Sequence, residues 1–196
     1  MMIDLVVCLL LLLGISACVA EVYFVVAYAH SDFGEYPPFF PSFGRMKKIC
    51  LREAREILAQ SEKPLKVIDL GCGSGSLIIP LAKEFPQHEF CGYDWDVVPF
   101  SIASFRARHI KNVQLFCQDF TKAEYGDADV VLIFGGKKLF ANWGNDLAAG
   151  LKNGATVISE AFPILQLKPE QEIEAPSYGM PLKVYTYRIN KKSLAK

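Results

Sequence analysis

Lys66-Val67-Ile68-Asp69-Leu70-Gly71-Cys72-Gly73-Ser74-Gly75-Ser76 is the stretch that decides the fold. Its first five residues make a short run rich in β-branched and apolar side chains, the composition of a buried strand. Three glycines at every second position follow, and Leu77-Ile78-Ile79-Pro80-Leu81-Ala82 then resumes an apolar pattern compatible with helix. Strand, glycine turn and helix bring a ligand against a helix N-terminus, where free N–H groups and the macrodipole favour negative groups. Glycine suits such a turn because a side chain would block close approach and because the backbone there often needs positive φ.

The spacing separates two kinds of nucleotide site. A dinucleotide fingerprint, G-x-G-x-x-G, would place its third glycine at Ser76. The pattern present, Asp69-x-Gly71-x-Gly73-x-Gly75, resembles motif I of the seven-strand, class I methyltransferases that use S-adenosylmethionine. That resemblance implies a cofactor site containing Asp69, Gly71, Cys72, Gly73 and Gly75. A structural βα turn in some other α/β domain is the competing reading.

Working outward, His88-Glu89-Phe90-Cys91-Gly92-Tyr93-Asp94 reads as a second strand ending in an acid. A carboxylate at that strand end can accept both hydroxyls of a ribose lying across the sheet, as ligands do in open α/β folds. The alternative for Asp94 is a helix N-cap, a role that Asp96 fills better. Residues 97–109 read as a helix with Phe100, Ala103 and Phe105 toward the sheet, and residues 112–117 as a third strand. Asp119 closes that strand, placed to accept from an adenine amino group with Phe120 against the ring; a plain turn aspartate is its alternative. Residues 129–134 form a fourth, central-looking strand, 138–151 a helix, 155–162 a fifth strand, and the alternation over 182–189 predicts a closing antiparallel hairpin.

A narrower resemblance rests on several short stretches. Pro38-Phe39-Phe40-Pro41-Ser42 is similar to the P-[YF]-V-P-[ST] of a small family of protein-lysine methyltransferases, archaeal and membrane-anchored mitochondrial. Gly92-Tyr93-Asp94, Asp119-Phe120, Val131-Leu132-Ile133-Phe134-Gly135 and Ser159-Glu160-Ala161-Phe162-Pro163 resemble further stretches of that family. The family implies methylation of lysine ε-amines, with Pro41 and Ser42 folding over the cofactor. Ser74 and Ser76 stand where the family carries an acid and an arginine. No [DN]-P-P-[YF], the clamp of amide- and base-methylating enzymes, follows strand four. Phe134-Gly135-Gly136 stands there instead, which suggests that Phe134 and Gly135 form the floor of an apolar acceptor channel.

With 196 residues, the chain has room for one α/β domain and a small appendage. The 21 basic and 21 acidic side chains cancel, so no nucleic-acid surface is expected. Six scattered cysteines without a C-x-x-C read as reduced and buried, and three histidines form no ligand pattern with them, so no metal is expected.

Residues 5–29 are apolar apart from Glu21 and a few small polar residues, long enough to cross a hydrocarbon core of ~30 Å. A signal peptide or lipoprotein box ending near Cys18 competes with an uncleaved helix. Arg45, Lys47, Lys48 and Arg52 follow the run and no lysine or arginine precedes it, which puts the C-terminal side in the cytoplasm.

The sequence therefore predicts a transmembrane helix over residues 1–31, a proline-rich linker over 32–45 and a methyltransferase domain over 46–196. The domain is expected to be an α/β, doubly wound, mostly parallel Rossmann-like sheet with an antiparallel closing strand. Residues 121–128 are too few for a long crossover helix, which predicts a trimmed version of the seven-strand pattern. The expected function is methyl transfer from S-adenosylmethionine to lysines of a membrane-associated protein by a single-pass membrane enzyme. A small-molecule, lipid or RNA acceptor, or a silent cofactor-binding scaffold, are the alternatives.

Overall fold

Val67, Ile68 and Leu70 are fully buried, and Asp69 is nearly so, which makes strand β1 (Lys66–Leu70) the centre of the sheet. The computed structural model describes residues 14–16, 18–19, 22, 44–176 and 181–194. Strand β2 (Glu89–Asp94) and then β3 (Val113–Cys117) extend the sheet on one side of β1. The chain then returns to add β4 (Val130–Phe134) and β5 (Thr156–Glu160) on the other, all five strands parallel. The hairpin of β6 (Gln171–Glu174) and β7 (Lys183–Arg188) closes the sheet, with β7 antiparallel to both β5 and β6. The order is β3-β2-β1-β4-β5-β7-β6. Its direction reverses between β1 and β4, the switch point at which open α/β sheets bind ligands.

Side-chain alternation along the strands divides the core into two layers. Val67, Val130, Leu132 and Ile158 share one layer with α1 (Gly44–Ala59) and α2 (Ile78–Glu84). Ile68, Leu70, Val131 and Ile133 face the other, which is covered by α4 (Lys137–Gly150). Helix α3 (Val97–Ala107) runs alongside β2 and β3, and α5 (Lys191–Leu194) is one final turn. At the lower edge, His88 is buried and joins three elements: Nδ1 accepts the Leu65 N–H at 3.1 Å and Nε2–H donates to the Leu58 carbonyl at 3.0 Å.

Four expectations change. The single-pass helix is not found: no helix among the described residues is long and apolar enough to cross a membrane. Of residues 1–31 only 14–16, 18–19 and 22 are described, and the rest of the stretch lies outside the described residues. Apolar length is a necessary condition for a span and not a sufficient one, so the transmembrane assignment and the cytoplasmic placement built on it are withdrawn. The sheet is a mixed one with all seven strands, not a trimmed one. What is shortened is the β3–β4 crossover, where a single 3₁₀ turn (Phe120–Lys122) replaces a helix.

Helix α3 buries Pro99, Ala103 and Ala107, small residues four apart that let it lie close to the sheet, while Phe105 is 66% exposed beneath the Arg108 guanidinium. Cys50, Cys72 and Cys91 are buried free thiols, but Cys18 and Cys117 are exposed.

Candidate active site

The turn after β1 is built by the backbone. Gly71, Gly73 and Gly75 have φ of 85°, 54° and 73°, the left-handed region that a side chain disfavours. The Gly71 and Cys72 amides donate to the Tyr93 carbonyl at 2.8 and 2.9 Å, tying the turn to β2. Gly92 is required by the same contact: a Cβ there would stand 2.7 Å from Leu115 Cδ2 and 2.9 Å from Cys72 Sγ. Cys72 thus fills space beneath the turn, and burial pushes its thiol up, out of reach of ionisation. The Arg106 guanidinium donates to the Ser74 carbonyl from α3.

Asp94 organises the turn from β2. Oδ2 accepts the Gly73 N–H at 2.7 Å and Oδ1 accepts the Asp96 N–H at 2.9 Å. Burial raises its pKa, and these two donors oppose the rise. A carboxylate has about four lone-pair sites, so capacity remains for hydroxyl donors. Asp96 caps α3 through the Val98 N–H.

Asp69 is buried on the α1 side of the sheet, with the Ile78 N–H as hydrogen-bond donor. Its carboxyl is held well above the usual carboxylate range, first by burial and then by the negative charges of Glu160 and Asp94. Above the ordinary aspartate value of about 4, the unfolded chain is ionised while the folded one retains its proton. The folded state therefore loses stability as pH rises toward the raised value. Asp69→Asn is expected to raise the melting temperature of the cofactor-free protein at neutral pH, with the gain shrinking as pH falls toward about 4. Calorimetric scans across pH measure it; an unchanged or lower melting temperature at neutral pH contradicts it.

The remaining candidates separate. Asp119 Oδ1 accepts from Thr121 N at 3.0 Å and Thr121 Oγ1 at 2.7 Å, so it caps the 3₁₀ turn, with Lys122 Nζ 3.9 Å from Oδ2. Phe120 is buried below the glycine turn, its ring 5.7 Å from that of Trp143 and 3.7 Å from where a Gly71 side chain would begin. Phe134 is half-buried at the end of β4, and a Cβ on Gly135 would meet Phe140 Cζ at 2.7 Å. Pro41 and Ser42 lie outside the described residues.

Sequence reasoning left Glu160 without a role. It ends β5, is 2% exposed and pairs in register with Phe134, and the Cys50 thiol of α1 hydrogen-bonds to it. The signal was present: an acid within the predicted strand over 155–162, next to Val157 and Ile158, requires a reason for its burial. The chain then turns sharply. Ala161 has φ 66°, and the Phe162 amide donates back to the Glu160 carbonyl at 2.8 Å, a γ-turn strained for a non-glycine residue. Among the described residues there is no group of three or more potential metal ligands.

A glycine turn at the switch point of a seven-strand sheet, with an acid at the end of the neighbouring strand, defines a class I S-adenosylmethionine-dependent methyltransferase. Residues 69–171 match the family model of the ANTKMT methyltransferase domain, and the chain belongs to that family. A protein-lysine N-methyltransferase of Saccharolobus islandicus is 27% identical over 157 residues, covering 79% of this chain and 96% of the relative. A malonyl-[acyl-carrier protein] O-methyltransferase of Bacillus cytotoxicus is 28% identical over 116 residues, 56% of this chain. The chain spans only 39% of that relative's length, and 32% of that of a Bacillus anthracis protein of the same name.

Among solved structures, an RNA methyltransferase from Salinibacter ruber, in complex with S-adenosyl-L-homocysteine, superposes with a TM-score of 0.65 at 21% identity, over 78% of this chain and 95% of its own. The magnesium protoporphyrin IX methyltransferase of Synechocystis, also with bound S-adenosylhomocysteine, gives 0.58 at 16%, over 74% and 83%. These likenesses share the fold, and the cofactor is S-adenosylmethionine.

Proposed function

We propose that the chain transfers a methyl group from S-adenosylmethionine to the ε-amine of a protein lysine. The observation that carries this reading is the register pair at the ends of β4 and β5: half-buried Phe134 beside the buried carboxylate of Glu160. An apolar wall suits the aliphatic stem of a lysine, and a carboxylate beside it suits the amine. The protein-lysine methyltransferase relative supports the same choice.

When bound, S-adenosylmethionine supplies an electrophilic methyl group. In this reading Asp94 accepts from the ribose, the turn at Gly71, Cys72, Gly73 and Gly75 gives the methionine end close access to backbone amides, and Asp69 lies behind it. Asp119 and Phe120 would hold the adenine, with Asp119 Oδ2 available to its amino group because Oδ1 is the atom that caps Thr121. Phe134 and Gly135 hold the lysine stem in line, an orientation effect. The apolar wall disfavours the ammonium form, while Glu160 offers an acceptor for the amine's N–H. The amine lone pair forms the new N–C bond as the C–S bond breaks, and the proton passes to solvent. The membrane-associated acceptor expected from the sequence depended on the transmembrane helix and is withdrawn with it.

Tritiated S-adenosylmethionine, supplied with extract from cells lacking the protein, tests the acceptor class. Label is expected in protein, and its recovery in lipid, RNA or small molecules alone would sink the reading. Glu160→Gln is expected to slow transfer to protein about ten- to hundredfold, the loss of one charge-assisted hydrogen bond, with cofactor affinity unchanged.

A further inference from the structure

The mouth of the site carries charge opposite to its interior. Helix α1 ends at the lower edge, where the Leu58 carbonyl meets His88, so its first turns stand at the upper edge with the strand ends. The contact of Cys50 with Glu160 fixes that height. Arg45, Lys47 and Lys48 precede Cys50 and stand roughly 3–8 Å further out along the helix axis at 1.5 Å per residue. Helix α4 begins on the same edge, directly after Gly136, with Lys137 and Lys138. The Lys137 Nζ lies 6.0 Å from the ring of Phe162, two residues beyond Glu160.

Arg45, Lys48, Lys137 and Lys138 are exposed and Lys47 is half-buried. Neither helix has an acid in its first turn. Cations there oppose the helix dipole, so helix stability does not account for them. Beneath this collar lie the buried acids Asp69, Asp94 and Glu160.

We propose that the basic collar docks an acidic protein segment, so that the methylated lysine is one flanked by aspartates or glutamates. The proposal rests on the lysine reading above for the identity of the central residue. A lysine in an acidic setting satisfies both zones at once: its flanks neutralise the collar, and its amine enters the acidic interior. RNA fits less well, because its phosphates would meet the Asp94 and Glu160 carboxylates beneath the collar and because the chain's formal net charge is +0.

Fluorescence anisotropy on the full chain at low salt decides it, using three labelled probes: a nonapeptide with one central lysine among glutamates, the same lysine among arginines, and a single-stranded RNA nonamer. The glutamate peptide is expected to bind at least about tenfold more tightly than the arginine peptide, the sum of several exposed charge pairs. Added salt should erode the preference. Lys47→Glu combined with Lys137→Glu should abolish it, and Lys111→Glu, on an exposed residue before β3, should leave it intact. Equal binding of the two peptides, tighter binding of the RNA, or an undiminished preference in the double variant would overturn the proposal. Methyl transfer to the same peptides is read separately. Acidic preference in binding without methylation of either lysine upholds the collar and removes the lysine reading. Equal binding with methylation of both peptides removes the collar and upholds the lysine reading.

Discussion

Asp94→Ala is expected to weaken S-adenosylmethionine binding by about a hundred- to ten-thousandfold. Two hydrogen bonds from a ribose to a charged acceptor contribute about 1.5–3 kcal/mol each, and each 1.4 kcal/mol is a factor of about ten. The turn suffers as well. The Gly73 and Asp96 amides lose their acceptors at 2.7 and 2.9 Å, and the glycine turn loses its tie to the β2 carboxylate. Asp94→Asn separates the two effects. One amide oxygen still accepts from Gly73, but the NH₂ group faces the Asp96 N–H, so binding should fall between wild type and alanine. Titration calorimetry measures the affinities, and thermal unfolding reports the damage to the turn. Wild-type affinity in the alanine variant would remove Asp94 from the cofactor site.

Gly75→Val should be the most damaging single change to the turn. A β-branched residue at φ 73° costs about 1–2 kcal/mol in backbone strain, and its Cβ would stand 2.8 Å from Ile79 Cγ1. Forcing extra atoms into such a contact costs about 1–3 kcal/mol more. The sum, about 2–5 kcal/mol, is a large part of the 5–15 kcal/mol that holds a typical domain together. Gly154 supplies the control, since its φ is 85° but open space surrounds it. Gly154→Ala should therefore cost only the backbone strain, and Gly75→Ala should exceed it by the crowding term. Denaturant unfolding of the two alanine variants gives the difference. Equal losses would mean that Ile79 moves aside freely.

The sheet centre and the glycine turn were legible because both are local. Alternate glycines after a β-branched run specify a tight turn wherever they occur, and Asp94 is placed by the length of one βα unit. Other features depend on what a residue meets after the chain has folded. Phe105 reads as a core residue by its hydrophobicity, but α3 meets the sheet through Pro99, Ala103 and Ala107 and carries Phe105 on its exposed side.

Glu160 shows the reverse case: an acid normally left in water is covered by α1 and faces Asp69, a meeting of two segments far apart in sequence. The gap before β4 pointed to a trimmed sheet because a crossover was equated with a helix, whereas a 3₁₀ turn capped by Asp119 covers the distance. Strand β6 contributes two exposed acids among its four residues and was visible only through the alternation of its partner.

Acid hydrolysis of the tritium-labelled protein product, followed by amino-acid chromatography, identifies the side chain that receives the methyl group. The label is expected to co-elute with ε-N-methylated lysine, and the Asp94→Ala enzyme is expected to yield none above background. Label in methyl-arginine, methyl-histidine or carboxyl esters, with no methyl-lysine, would contradict it.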